Sequence, residues 1–146
     1  MNTTWRPDDS FIDSEGGELK GVKRARAAQE KHNVEQGGVI TSRDSGVRQA
    51  TDELIRTHLP AGFKQWQVPI ALGPNQDAVA FVTEGEPGAA IPMHAHRCDL
   101  FRVVVSGSIT TGGKELHPGD WMYVRAGSEY DLISGPHGCH VLHIYW

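Results

Sequence analysis

A chain of 146 residues, 38% hydrophobic and 22% charged, has the length of one domain and enough apolar side chains for one core. That excludes a disordered chain and a large two-domain enzyme. Its 18 acidic residues outnumber 14 basic ones, for a net charge of -4, so no concentrated basic surface is available and nucleic acid is not expected as a partner.

No apolar run approaches the ~20 residues of a membrane helix, and the N-terminus lacks the basic-then-apolar order of a secretory signal. A cytoplasmic protein with no membrane partner is expected. Two cysteines, Cys98 and Cys139, are too few for a disulfide framework.

Residues 1–60 read as an N-terminal arm with one or two helices, and residues 61–146 as a β-domain. The arm holds only two of the aromatic residues, Trp5 and Phe11, so composition places core and chemistry in the second part. Residues 1–17 are polar, rich in Asp, Ser and Gly, and expected to be loose. Good helix formers from Glu18 to Asn33 predict a helix that Gly37-Gly38 stops. Its basic cluster, Lys20, Lys23, Arg24 and Arg26, is flanked by glutamates and reads as a solvated face. Val39–Thr41 suggests a short strand. A second helix is expected over Ser45–Leu59, with Val47, Ala50, Leu54 and Ile55 along one side and Pro60 ending it. Both helices are expected to cover a barrel face or a dimer seam.

From Phe63 the period changes to two. Short β-type runs, Trp66–Leu72, Ala78–Thr83, Ala90–His96, Phe101–Val105, Ser108–Thr111, Trp121–Arg125, Tyr130–Ile133 and Cys139–Tyr145, alternate with Gly, Pro, Asn and Asp turns. Strands this short and this regularly spaced predict an antiparallel sandwich or barrel.

His94-Ala95-His96 is the strongest chemical signal. Residues i and i+2 of a strand share a face, so both imidazoles can reach one point, and paired imidazoles suit a transition metal. Around them the sequence reads Gly88, five residues, His94-x-His96, three residues, Leu100, six residues, Gly107. Gly119 follows, then five residues, Arg125-x-Gly127, two residues and Tyr130. This resembles the two motifs of the cupin superfamily. The resemblance covers roughly residues 63–146 and implies an all-β, double-stranded β-helix (jelly-roll) barrel of the RmlC type. It further implies one divalent transition metal, Fe, Zn, Ni or Mn, and a homodimer.

The departures bear on the ligand set. Cupins usually supply two His, a Glu and a third His; here the Glu position is Leu100 and the last His position is Tyr130. The expected metal ligands are therefore His94 and His96, with Tyr130 or His143 as the third. His140 and His143 have opposite parities on the last strand, and His143 is taken as the inward one. Tyr130 is a ligand or a general acid–base.

Counting by two from His94 and His96 through Leu100 turns Arg102 inward. Its guanidinium then meets either a substrate carboxylate or a salt-bridge partner such as Asp99, Glu84 or Asp131. Trp121, with Tyr123, Phe101, Met93 and Phe81, lines a pocket or fills plain core; Trp121 is taken as a substrate contact. The expected function is a metal-dependent enzyme acting on a small organic, carboxylate-bearing substrate by oxygenase, lyase or isomerase chemistry. The alternative is a non-catalytic ligand-binding or regulatory module.

Overall fold

In the computed structural model, which describes residues 5–146, the chain starts with a packed strap where looseness was expected. After the irregular segment 5–9, a single 3-10 turn, Ser10–Ile12, buries Phe11. A minimal hairpin follows, β1 (Ser14–Glu15) with β2 (Glu18–Leu19). Gly16 and Gly17 turn it at positive φ, where a side chain would be strained. Residues 1–4, part of the segment expected to be loose, lie outside the described residues.

Helix α1 (Lys20–Lys31) buries Gly21, Val22, Ala25 and Ala28, an apolar stripe at helical spacing. At Gly21 the missing side chain permits close approach, since a Cβ there would stand 3.1 Å from both Phe11 Cβ and Val79 Cγ1. Helix α2 (Val47–Asp52) is much shorter than expected. The chain leaves the helix because Ile55–Arg56 forms β3, paired antiparallel with Trp66 and Gln65. Ladder hydrogen bonding there outweighs the helical pattern that Leu54 and Ile55 suggested. Ile55 consequently lies on the outer, exposed surface. No strand forms at Val39–Thr41; the Asp44 side chain instead accepts bonds from the Thr41 amide and hydroxyl. Among the described residues no helix is long and apolar enough to cross a membrane.

The rest is antiparallel β: β4 (Phe63–Leu72), β5 (Ala78–Gly85), β6 (Ala90–His94), β7 (Leu100–Thr111), β8 (Lys114–Leu116), β9 (Trp121–Val124) and β10 (Tyr130–Tyr145). Neighbours run β3-β4-β5-β10-β7-β8, with β6 also on β10 and β9 on β7. Two pairs of expected strands are continuous: Phe101–Val105 joins Ser108–Thr111, and Tyr130–Ile133 joins Cys139–Tyr145.

These two long strands close the barrel. The first part of β10 pairs with β6 and the end of β7, and its second part pairs with β5 and the start of β7. A register shift between Ser134 and Cys139 lets the strand bend from one sheet to the other. At the bend, Gly107 has φ 69, and a Cβ on it would overlap the carbonyl oxygen of Gly138. Only glycine fits.

One apolar cluster (Phe11, Val22, Val79, Phe81, Leu100, Tyr130, Tyr145) joins the arm to the barrel. A second one (Phe63, Ile91, Val104, Ile109, Leu132, Val141) fills the far end. Buried polar groups sit at the inward positions: Gln65, Gln67, Thr83, His94, His96, Arg102 and His143.

Candidate active site

Strand parity delivers the two imidazoles. His94 ends β6, and His96 follows two residues later with its ring centroid 4.9 Å away at nearly a right angle. Tyr130 opens β10 directly opposite His94, and their rings are 4.4 Å apart.

The hydrogen bonds assign the tautomers. His94 Nδ1 lies 2.8 Å from the Pro92 carbonyl, which only accepts, so Nδ1 carries the proton and Nε2 keeps its lone pair. His96 Nδ1–H likewise donates to Asp9 Oδ1 at 2.8 Å. His96 Nε2 is then an acceptor, and the Tyr130 hydroxyl donates to it at 3.1 Å. Asp9, His96 and Tyr130 form a continuous buried chain of carboxylate, imidazole and phenol. The other Asp9 oxygen accepts from the Arg97 amide.

Burial dominates the electrostatics. It lowers His94 from 6.5 to about 4, against the pull of the Pro92 carbonyl, so the ring is neutral at ordinary pH. Burial would raise Asp9, but the hydrogen bonds from His96 and the Arg97 amide, with the nearby Arg97 charge, hold its carboxyl below the usual range. Burial raises Tyr130, and the neighbouring Arg102 offsets part of that rise.

Arg102 points inward and is only 4% exposed. None of the described carboxylates pairs with it, including Asp99, Glu84 and Asp131. Asp99 faces outward, where it accepts from the Tyr123 hydroxyl and the Ala126 amide. The Arg102 guanidinium lies 5.5 Å from the Tyr130 ring centre, Nη1 reaches the Met122 sulfur at 3.9 Å, and Nε has no hydrogen-bond partner.

His143 is fully buried, on the parity expected. Its Nε2 is engaged by Thr83 Oγ1 at 2.8 Å and Gln65 Nε2 at 3.3 Å. The Tyr145 ring stands 5.2 Å from both His143 and His96. The expected substrate contact Trp121 departs from expectation. It pairs with Val103, is 61% exposed on the outer surface and stacks near Phe101, because inward-facing Arg102 pairs with Met122 and puts Trp121 on the opposite parity.

Asp9 escaped the sequence reading, since no periodic signal marks it. Gln65, Gln67 and Thr83 also escaped, although parity with Phe63 and Phe81 was a usable signal. Among the described residues no three His, Cys, Asp or Glu side chains converge on a metal position. The donor atoms this site offers are His94 Nε2, His96 Nε2 and the Tyr130 oxygen. Both imidazoles are anchored through Nδ1 to a carbonyl or carboxylate, as metal-ligating histidines usually are. Leu100, at the usual Glu position, is sealed in the apolar cluster and contributes no donor.

No family model matches the sequence, and no curated protein matches it. Solved structures do. KdgF from Halomonas sp. matches 62% of this chain and 84% of its own at 21% identity, with a TM-score of 0.52. An RmlC-like cupin from Shewanella frigidimarina matches 62% of this chain and 80% of its own at 25% identity, TM-score 0.50. A chain in the complex of Rhodobacter sphaeroides SigE with the anti-sigma ChrR matches 84% of this chain, TM-score 0.54, at 19% identity. That match reaches beyond the barrel into the arm, and this chain spans 59% of that one. The chain therefore shares the fold of the RmlC-like cupins, a jelly-roll barrel.

Proposed function

We propose that the protein is a metal-dependent cupin enzyme whose substrate is a small organic acid, held through its carboxylate by Arg102. The observation that carries this reading is the Arg102 guanidinium itself, buried inside the barrel with Nε unpartnered and no described carboxylate bound to it. A buried charge left unpaired costs several kcal/mol, so a ligand that brings the missing anion recovers much of that energy on binding. The carboxylate of a substrate matches the guanidinium fork bidentately.

His94, His96 and Tyr130 would hold a divalent transition metal, Fe, Zn, Ni or Mn, which as a Lewis acid would polarise an oxygen of the substrate. His143 Nε2 is engaged by Thr83 and Gln65 while its buried Nδ1 has no partner, and Tyr130, already on His96 Nε2, is the better-supported third donor. Asp9 keeps the His96 proton on Nδ1. Tyr130 has one of two roles: on the metal its oxygen would be the third donor, and off the metal its hydroxyl, hydrogen-bonded to His96 Nε2 in this structure, would give or take a proton at the substrate. The surrounding Phe81, Leu100 and Tyr145 keep water away from that transfer.

Elemental analysis of untagged protein tests the metal. Close to one divalent metal per chain is expected, and it should be absent from His94→Ala. A folded, metal-free protein would remove the metal from the reading.

A second reading, a ligand-binding or regulatory module without catalysis, is supported by the lack of a third His, Cys, Asp or Glu donor among the described residues and by the likeness to a chain of the SigE–ChrR complex. Metal-free protein that still binds a carboxylate through Arg102 would favour it.

A further inference from the structure

The barrel encloses His94, His96, Arg102 and Tyr130 on several sides, and the strap supplies the remaining wall through Trp5, Pro7, Asp8 and Asp9. The space left between them is about 30 Å³ and only partly closed off from solvent. That is roughly the share of one water molecule, whereas sites for organic ligands run to about 300–1,000 Å³. As closed, the site has no room for an organic acid.

On the outer side of the same strap lies a cleft of about 580 Å³, walled by residues 5–9 together with Met93, His94, Ala95 and Arg97. His94 and the strap therefore border both spaces. Removing the strap would join them.

The strap is held mainly by polar contacts. Asp9 bonds His96 and the Arg97 amide, the Arg97 guanidinium bonds the Asp9 carbonyl, and the His58 ring bonds the Arg6 carbonyl. Arg56 bonds the Asp8 carbonyl. The Trp5 indole N–H is buried with no partner, although its ring lies against His58 and His94. Immediately after Asp9 the character changes, because Phe11 is anchored in the core against Phe81 and Tyr145. A segment held by these polar contacts and by Trp5 against the far apolar cluster thus meets, at residues 9–10, one fixed in the core by Phe11.

We infer that residues 5–9 form a lid over the barrel cavity, latched by Asp9 on His96 and Arg97, which opens to let an organic carboxylate reach Arg102 and closes to seat Asp9 on His96. Asp9 is accordingly a positioning residue that acts through His96. The inference rests on the proposed function only for the identity of the ligand; the lid itself follows from the volumes and contacts. Lids of this kind exclude water and complete a site at the moment of closure.

Native-state hydrogen exchange of the full chain, followed by NMR with no metal or ligand added, tests it. The Arg97 amide bonds Asp9 Oδ2 and reports the latch. The Gly127 amide on the His96 carbonyl and the Val104 amide on the Asp120 carbonyl report the barrel. In the wild type, Arg97 should exchange at least about tenfold faster than Gly127 and Val104, through local opening. Asp9→Ala should abolish the remaining protection of Arg97 and leave the two barrel amides protected; Asp9→Asn, which keeps an acceptor of the same shape, should restore part of it. The ¹⁵N shifts of the His96 ring should show a proton on Nδ1 in the wild type and a loss of that preference in Asp9→Ala.

If Arg97 exchanges at the rate of the barrel amides in the wild type and in Asp9→Asn, the lid is wrong, whether or not Asp9→Ala folds. Because no metal is needed, a mobile strap on a metal-free barrel overturns only the catalytic reading. A metal-loaded barrel whose strap opens only on global unfolding overturns only the lid.

Discussion

Asp9 and His96, 87 positions apart in the chain, meet in a 2.8 Å hydrogen bond with both side chains almost wholly buried. The pair adds a buried polar tie to the apolar cluster that joins the arm to the barrel. Truncating one side leaves the other without a partner where water cannot replace it. Asp9→Ala should therefore cost about 2–3 kcal/mol, from the orphaned His96 Nδ1–H and Arg97 amide together. Urea denaturation measures this, and a loss below roughly 0.5 kcal/mol would mean that water already reaches the pair.

Arg102 predicts the opposite sign. Its charge is buried without an anion, so Arg102→Met, of similar length and apolar, should leave the ligand-free fold as stable or raise it by about 1–3 kcal/mol. The same change should abolish carboxylate binding. A marked loss of stability on this substitution would show that Arg102 already has a native partner and needs no ligand.

His143 sets an acid limit. Burial holds its pKa well below the ordinary 6.5, with the charge of Arg102 pushing the same way. Below pH 6.5 the unfolded chain takes up a proton that the folded one refuses, so stability falls as pH drops through that value and is flat above it with respect to this group. His143→Gln removes the titration. Its urea midpoint should accordingly drop less than the wild type's between about pH 7.5 and about pH 5. Equal drops would show that His143 protonates in place.

Gly107 is the backbone test. With φ 69 and no room for a Cβ beside Gly138, Gly107→Ala must displace one of the two long strands. A loss of at least about 3 kcal/mol is expected, against about 1 kcal/mol for Gly112→Ala, where positive φ strains the alanine but no atom lies within 4 Å of its Cβ. Similar losses at both sites would mean that positive φ alone, and not the strand crossing, sets the cost.

The homodimer expected from the resemblance stands as a proposal with a definite surface. Trp121, Tyr123, Trp146 and Val105 are all exposed on the outer sheet face, beside Phe101. Exposed aromatic and apolar groups gathered on one sheet face are the kind of surface that marks a protein contact. Sedimentation should find a dimer for the wild type and a monomer for Trp121→Glu. A monomeric wild type at micromolar concentration would end the proposal.

Much of the barrel was legible because strands obey a local rule. Alternation located the cores of the longer strands but not the short β3 and β8, and the glycine spacing from Gly88 to Gly127 marked the turns. Parity turned His94, His96 and Arg102 inward, whereas for the last strand it said only that His140 and His143 face opposite ways. Trp121 was misjudged because its size suggested a contact with ligand, whereas its pairing with Val103 sends it outward. The helix expected to Leu59 ended at Asp52 because Ile55–Arg56 found hydrogen-bond partners in β4, which no local pattern discloses.

What the amino-acid sequence alone determined, then, is the barrel and the side of each strand on which its polar residues stand, since both follow from a two-residue repeat and from glycines where no other residue fits. What only the tertiary structure decided is which of those residues lack partners and what closes over them. That Arg102 has no described carboxylate, that His143 is bound to Thr83 and Gln65, and that Asp9 crosses the whole chain to reach His96 are facts of three-dimensional proximity. Such contacts arise when chain segments far apart in sequence are driven together by burial of their apolar neighbours, here Phe11 against Phe81 and Tyr145, and that burial carries Asp9 to the barrel.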